Sequence, residues 1–173
     1  DSMAWVAQKI RIPLATGERI HTPQEYQMLV KRQALDYLRV SICVCGGFTG
    51  AKKIAAIAEA NHLGIIPHNP LSPVATAACI QLDAAVPCFT IQEYPDPNGP
   101  AAHARFVFEK TGKSEFHVCD IVDRMPECQE GFLIVPDAPG LGIELIDGVE
   151  EKFPFERRKV VTRLTTDGAV MDQ

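Results

Sequence analysis

The sequence predicts an α/β fold, the carboxy-terminal half of a parallel (β/α) barrel, and three observations carry that prediction. Four short apolar runs each present a polar residue near their end: Ile12–Gly17 before Glu18, Tyr37–Val44 around Ser41, Ile65–Pro67 before His68, and Phe89–Gln92 before Glu93. Those polar positions lie 23, 27 and 25 residues apart, and each gap holds one amphipathic segment of helical spacing. The third run delivers its imidazole directly ahead of Ser72-Pro73, a helix start with an N-cap and a first-turn proline. Repeating strand–helix units of this size describe parallel β/α units, whose strand ends converge on one face of a barrel.

Each element has a local justification. Ser2–Lys9 reads as a helix end, with Trp5 expected to pack on the barrel wall. Gly17 permits a sharp turn before Glu18, and Thr22-Pro23-Gln24-Glu25 is a capping-box pattern. The helix it opens carries Tyr26, Leu29 and Val30 on one face and ends near Ala34. The second strand spans Leu35–Val44 and passes into Gly46-Gly47, with Thr49 as N-cap of a helix over Ala51–Asn61. Ile54, Ala55 and Ala58 form its apolar face, and Gly64 reads as its stop signal. A third helix covers Pro73–Ala85, with Val74, Ala77, Ala78 and Leu82 inward. Beyond Glu93 the rhythm is lost: Phe106–Val118 is ambiguous, Phe132–Pro136 reads as a short strand, and Asp137–Gly142 is a turn cluster. Lys159–Gln173 alternates around Asp167-Gly168, a hairpin signal, and is expected to fold back over a capping domain. The domain reading is therefore 1–100 as half of the barrel and 101–173 as a carboxy-terminal extension.

Composition sets further bounds. The chain has 173 residues, 46% of them hydrophobic, and a formal charge of −5 with no basic cluster, which argues against nucleic acid as a partner. No apolar run is long enough to span a bilayer, so no membrane is expected. The six cysteines are scattered, and Cys43 and Cys45, two apart in an apolar strand, are expected as buried thiols on one face. That usage points to a reducing, cytoplasmic setting. A closed eight-stranded barrel takes roughly 250 residues, whereas four parallel strands leave two edges unpaired. The expectation is part of a longer protein, whose N-terminal half completes the barrel and without which this fragment is inactive.

Taken together, Gly17-Glu18-Arg19, Gly46-Gly47 with its helix, Pro67-His68-Asn69-Pro70 and Gln92-Glu93 resemble the enolase superfamily, in its mandelate racemase/muconate lactonizing branch. Pro139–Glu144 and Asp167–Asp172 fit the same group, and the sequence is most similar to its acid-sugar dehydratases. The resemblance implies a TIM-type barrel of modified (β/α)7β form, with strands five to eight present here. It implies Mg²⁺ held by three strand-end carboxylates, of which Glu18 is the third. It implies His68 as the acid or base beside the substrate carboxylate, and Glu93 as the acid that hydrogen-bonds that carboxylate. Where many members carry Asp on strand six, this chain has Ser41, whose hydroxyl can orient the imidazole but supports its positive charge much less. Arg19 and His21 follow the metal ligand and join Ser41 as candidate substrate contacts.

The function implied is a Mg²⁺-dependent hydro-lyase of a galactonate- or mannonate-type sugar acid, working as a homo-oligomer. It removes the proton next to the carboxylate and expels the β-hydroxyl. Epimerisation, racemisation or cycloisomerisation within the superfamily is the second reading. A non-catalytic sugar-acid-binding or interaction protein is the third, favoured by Ser41. For the single residues, Glu93 is alternatively an ion-pair partner of a neighbouring Arg, and His62 a structural helix-end residue.

Overall fold

A computed structural model describes residues 1–70, 72–94, 118–155, 157 and 164–169. The expected domain boundary at 100, the ambiguous segment up to His117, and His103 lie outside these residues, as does most of the tail.

Three parallel strands follow one another in space as in sequence: β1 (Ala15–Thr16), β2 (Tyr37–Leu38) and β3 (Gly64–Ile65). Ala15 is opposite Tyr37 and Thr16 opposite Leu38; Tyr37 and Leu38 in turn face Gly64 and Ile65. Phe89 joins on the far side through a parallel bridge to Ile65. Backbone bonds carry the pairing further, with Arg39 N–H to Thr16 O (2.8 Å) and His68 N–H to Val40 O (2.8 Å). Four neighbouring strands in sequence order, each separated by a helix, form an arc of barrel wall.

The fourth strand is stitched to β3 by Ile65 N–H to Cys88 O (2.8 Å) and Thr90 N–H to Ile65 O (3.1 Å). The next rung on that side needs an N–H from Pro67, which proline lacks. There the Gln92 side chain takes over, its Nε2 donating to Pro67 O at 3.3 Å.

Helices α2 (Pro23–Lys31), α3 (Gly47–Ala60) and α4 (Pro73–Ala84) cover one face of this sheet, after a short α1 (Ser2–Ala7). The capping box of α2 forms as its sequence dictates: Thr22 Oγ1 accepts from Glu25 N–H, and Glu25 reaches back to Thr22 N–H. Ser72 caps α4 at Ala75 N–H, and Pro73 occupies the first turn. Between helices and sheet lies a core of Tyr26, Leu38, Val40, Ile54, Ala58, Ile65, Cys79 and Leu82, all buried. Closing a core of this kind supplies most of the stability that lone helices of this length lack.

Several sequence expectations are corrected. Trp5 is 64% exposed and does not pack on the wall of this chain. The second strand stops well short of Val44: Val44 and Cys45 both donate to Ser41 O (3.1 Å each), folding Ser41–Cys45 into a turn. Cys43 and Cys45 therefore do not share a strand face, and Cys43 is exposed while Cys45 is buried. The helix begins at Gly47, not Ala51, and Thr49 is not its cap; left-handed Gly46 (φ 93°) precedes it, and Gly50 lets Cys45 O lie directly against the first turn. Val74 and Ala78 are only half-buried, while Ala75, Thr76, Cys79 and Ile80 are covered. An alanine-rich helix with small side chains on most faces is buried more broadly than a single stripe predicts.

Gly64 is not the stop of α3. His62 takes the left-handed conformation there (φ 57°), and its N–H bonds Glu59 O (3.1 Å) while Leu63 N–H reaches Ala58 O (2.9 Å), a Schellman closure. His62 is structural, through its backbone.

Further on, Cys128–Gln129 pairs antiparallel with Phe132–Leu133, so the expected strand is one arm of a hairpin turned by Glu130 and Gly131 at positive φ. At Asp167-Gly168, Gly168 N–H to Thr165 O (3.0 Å) and Thr165 N–H to Ala169 O (2.8 Å) form the expected turn. None of the described helices is long and apolar enough to cross a membrane.

Gly64 instead permits close strand packing, since a Cβ there would overlap Thr90 Oγ1 and lie 3.0 Å from the Tyr37 ring. Gly64→Ala is expected to force β3 from its neighbours and cost about 1–3 kcal/mol. Urea unfolding of the protein and its variant measures this, and an unchanged midpoint would show that the sheet absorbs the methyl.

Candidate functional site

The site is assembled where the parallel strands end. Gly17, at φ 132° and touching the Tyr26 ring, leads into a turn closed by Ile20 N–H to Gly17 O at 2.9 Å. That turn presents Glu18, whose side chain is 38% exposed and whose Oε2 stands 4.0 Å from Arg39 Nε. One strand over, Arg39 follows β2 and sends a terminal nitrogen to Glu93 Oε2 at 2.6 Å. The same oxygen accepts the Asn69 backbone N–H at 2.8 Å. Glu93, at the end of the fourth run, is thus gripped by charge-assisted bonds from the adjoining β3 end and from the β2 end beyond it.

His68 lies between them. Burial pushes its pKa below the ordinary value of 6.5; the Glu93 charge opposes this, Arg39 adds to it, and Glu18 opposes it more weakly. The ring responds to all three charged groups, which places the four strand-end residues in one electrostatic neighbourhood. Its Nδ1 is buried and has no hydrogen-bond partner. The Ser41 hydroxyl therefore does not orient the imidazole through Nδ1. The physical reason is the turn: the chain leaves the strand after Val40, and Ser41, although buried, serves that turn with its carbonyl.

Asn69 ties the histidine loop to α4. It is fully buried, and its Nδ2 donates to Thr76 Oγ1 (2.5 Å), which donates on to Ser72 O (3.1 Å). Arg19 and His21 sit exposed on the loop after Glu18, and the His21 backbone N–H donates to Glu25 Oε2 at 3.3 Å. That loop contact serves the cap of α2 rather than joining His21 to the Glu93 cluster.

Arg39 is the residue that sequence reading missed. A cation inside the apolar run Tyr37–Val44 needs an anion nearby when the strand is buried. The alternation Tyr37, Arg39, Ser41 is a signal that could have placed it on the same strand face as Ser41.

As a metal centre the described residues are incomplete: no group of three His, Cys, Asp or Glu side chains among them could hold an ion. Glu18 fits one position of a hard-cation site, being an oxygen donor at a strand end that stands 4.0 Å from Arg39 Nε, too far for a hydrogen bond to it. Four of the six thiols do not compete. Burial raises the pKa of Cys43, Cys45 and Cys88, and that of Cys79 to about 12, which keeps them protonated and poor nucleophiles. A cavity of about 460 Å³ opens instead between α4 and the 128–135 hairpin, lined by Ile80, Asp83, Phe89, Ile91 and Phe132. It is mostly apolar and includes none of Glu18, Arg39, His68 or Glu93.

The sign of the His68 shift gives a checkable outcome. Its folded pKa lies below the unfolded one, so its contribution to stability is complete above pH 6.5 and is lost as pH falls through that value towards the folded pKa. An NMR titration of the imidazole is expected to show a midpoint below 6.5. A midpoint above it would mean that the carboxylates outweigh burial.

Comparison with known proteins identifies the family and the fold. Residues 1–149 match the family described as enolase C-terminal domain-like. A D-galactonate dehydratase family member of Streptomyces bingchenggensis is 33% identical over 163 residues, covering 93% of this chain and 36% of that protein. A D-mannonate dehydratase of Caulobacter vibrioides is 29% identical over 173 residues, covering 96% of this chain and 38% of that protein. The chain thus spans little more than a third of the length of these relatives. Among solved structures, an enolase of Agrobacterium radiobacter with Na and L-malate bound superposes with a TM-score of 0.77 at 27% identity, over 97% of this chain and 42% of that one. An enolase of the mandelate racemase subgroup from Agrobacterium tumefaciens gives 0.70 at 28% identity, over 87% and 36%. The fold is the barrel half of the enolase superfamily, and the chain belongs to the enolase C-terminal domain-like family.

Proposed function

We propose that the chain supplies the later strand ends of the active site of a Mg²⁺-dependent sugar-acid dehydratase, a carbon–oxygen lyase. The observation that supports this best is the convergence of Glu18, Arg39, His68 and Glu93 at adjacent parallel strand ends. The names of the relatives, D-galactonate dehydratase family member and D-mannonate dehydratase, support the substrate class.

In this reading Glu18 is one carboxylate ligand, and the others come from a further part of the same cytoplasmic, homo-oligomeric protein. The cation, when bound, supplies positive charge that offsets the negative charge building on the substrate as a proton leaves the carbon next to its carboxylate. His68 is kept neutral by burial, so its ring is ready to accept that proton at neutral pH. Glu93 faces the substrate carboxylate, and Arg39 at 2.6 Å offsets the repulsion between the two acids. Arg19, His21 and Ser41 are assigned to the polyol side of the substrate.

The test uses the complete protein with aldonic and aldaric acids and Mg²⁺, following 2-keto-3-deoxy acids and deuterium wash-in next to the carboxylate by NMR. Dehydration is expected, and His68→Asn is expected to slow both dehydration and wash-in by about 10²–10⁴-fold. Wash-in that persists in His68→Asn would move proton abstraction to another residue. Epimerised substrate without a keto acid would favour the racemase-type reading, and no turnover of any acid a non-catalytic binder. Glu18→Gln is expected to keep the fold and weaken Mg²⁺ binding. Unchanged affinity in a titration would remove Glu18 from the ligand set.

A further inference from the structure

Tyr26 is fully buried on α2, yet its hydroxyl works at the strand ends rather than in the core. It donates to Gly17 O at 2.6 Å and lies 3.1 Å from Arg39 O. Those two carbonyls belong to different strands. Gly17 immediately precedes Glu18, and its carbonyl also accepts Ile20 N–H (2.9 Å), so it is the anchor of the turn that presents Glu18. Arg39 is the residue that grips Glu93 and stands 4.0 Å from Glu18.

The contact is built on both sides. A Cβ at Gly17 would lie 2.5 Å from the Tyr26 ring, so only glycine lets the ring come this close, and φ 132° is itself a conformation that side-chain-bearing residues rarely adopt. Burial raises the phenol pKa, with the nearby Cys45, Glu18 and Glu25 adding to the effect, so the hydroxyl stays a donor throughout the working pH range.

We infer that Tyr26 is a positioning residue: its buried hydroxyl pins the Gly17 and Arg39 carbonyls together and thereby fixes the Glu18 carboxylate for a divalent cation and the Arg39 guanidinium for Glu93. The inference rests on the assignment of Glu18 as a metal ligand. Partners that orient a ligand without touching the metal commonly govern affinity by 10–100-fold.

The experiment measures Mn²⁺ binding by EPR in the complete protein, with thermal unfolding alongside. Tyr26→Phe keeps the ring and removes only the hydroxyl; it is expected to raise the Mn²⁺ Kd about tenfold. Val30→Ala, on the same helix and away from the strand ends, is expected to lower the melting temperature without moving the Kd. Gly17→Ala, which displaces the ring while keeping the hydroxyl, is expected to weaken Mn²⁺ binding as well, and it decides the matter if Tyr26→Phe does not fold. An unchanged Kd in Tyr26→Phe, or an equal rise in Val30→Ala, overturns the positioning role. Glu18→Gln separates the two layers. If it leaves Mn²⁺ binding intact, the ligand assignment fails and the inference with it; if it abolishes binding while Tyr26→Phe does not weaken it, the positioning role alone fails.

Discussion

Arg39 ties three strands together at the point where the sheet gives way to loops. Its N–H continues the ladder to Thr16, its carbonyl meets the Tyr26 hydroxyl, and its guanidinium holds Glu93 across the intervening strand. The ion pair is about 70% shielded, with side-chain exposures of 29% and 32%. It is therefore screened less than a surface pair, yet it still bears part of its desolvation cost. Its Nε is buried without a hydrogen-bond partner, so the guanidinium is not fully satisfied by the protein itself. Glu18 at 4.0 Å and Glu93 at 2.6 Å would otherwise be two anions facing a common space. The Arg39 cation between them offsets that repulsion.

The rest of the site follows from how each carboxylate and imidazole is held. Glu93 is positioned by two donors, the guanidinium and the Asn69 N–H, and Asn69 is in turn anchored to the first turn of α4. Among the described residues, His68 is held through its backbone N–H to Val40 O, while its ring nitrogen Nδ1 has no hydrogen-bond partner. Burial holds a ring so placed toward its neutral form, against the opposing charges of Glu93 and Glu18.

Legibility in the sequence tracked how local the determining chemistry is. Helices α2 and α4 could be placed within a residue or so at their starts, because Thr22 with Glu25 and Ser72 with Pro73 act within one turn. The start of α3 was missed, since it depends on two left-handed glycines and on Cys45 O packing against Gly50, which no cap residue announces. The apolar run Ile42–Cys45 looked like strand because its hydrophobicity is high, but a turn at Ser41 buries Ile42 and Cys45 while exposing Cys43 and Val44. Glu18, His68 and Glu93 could be named from their spacing. Their linker Arg39 could not, because its role depends on a partner 54 residues away.

Pro67 sets a limit on how the fourth strand can behave. Since it cannot donate, the backbone ladder to Phe89–Glu93 ends early, and the last stretch relies on side chains: Gln92 to Pro67 O, and Glu93 to Arg39 and Asn69. Such a segment can open locally without disturbing β1–β3, because few main-chain bonds must break for it to do so. The acid at its tip is therefore set by the Arg39 guanidinium and the Asn69 N–H rather than by the ladder, so its position depends on those two donors more than on the sheet behind it.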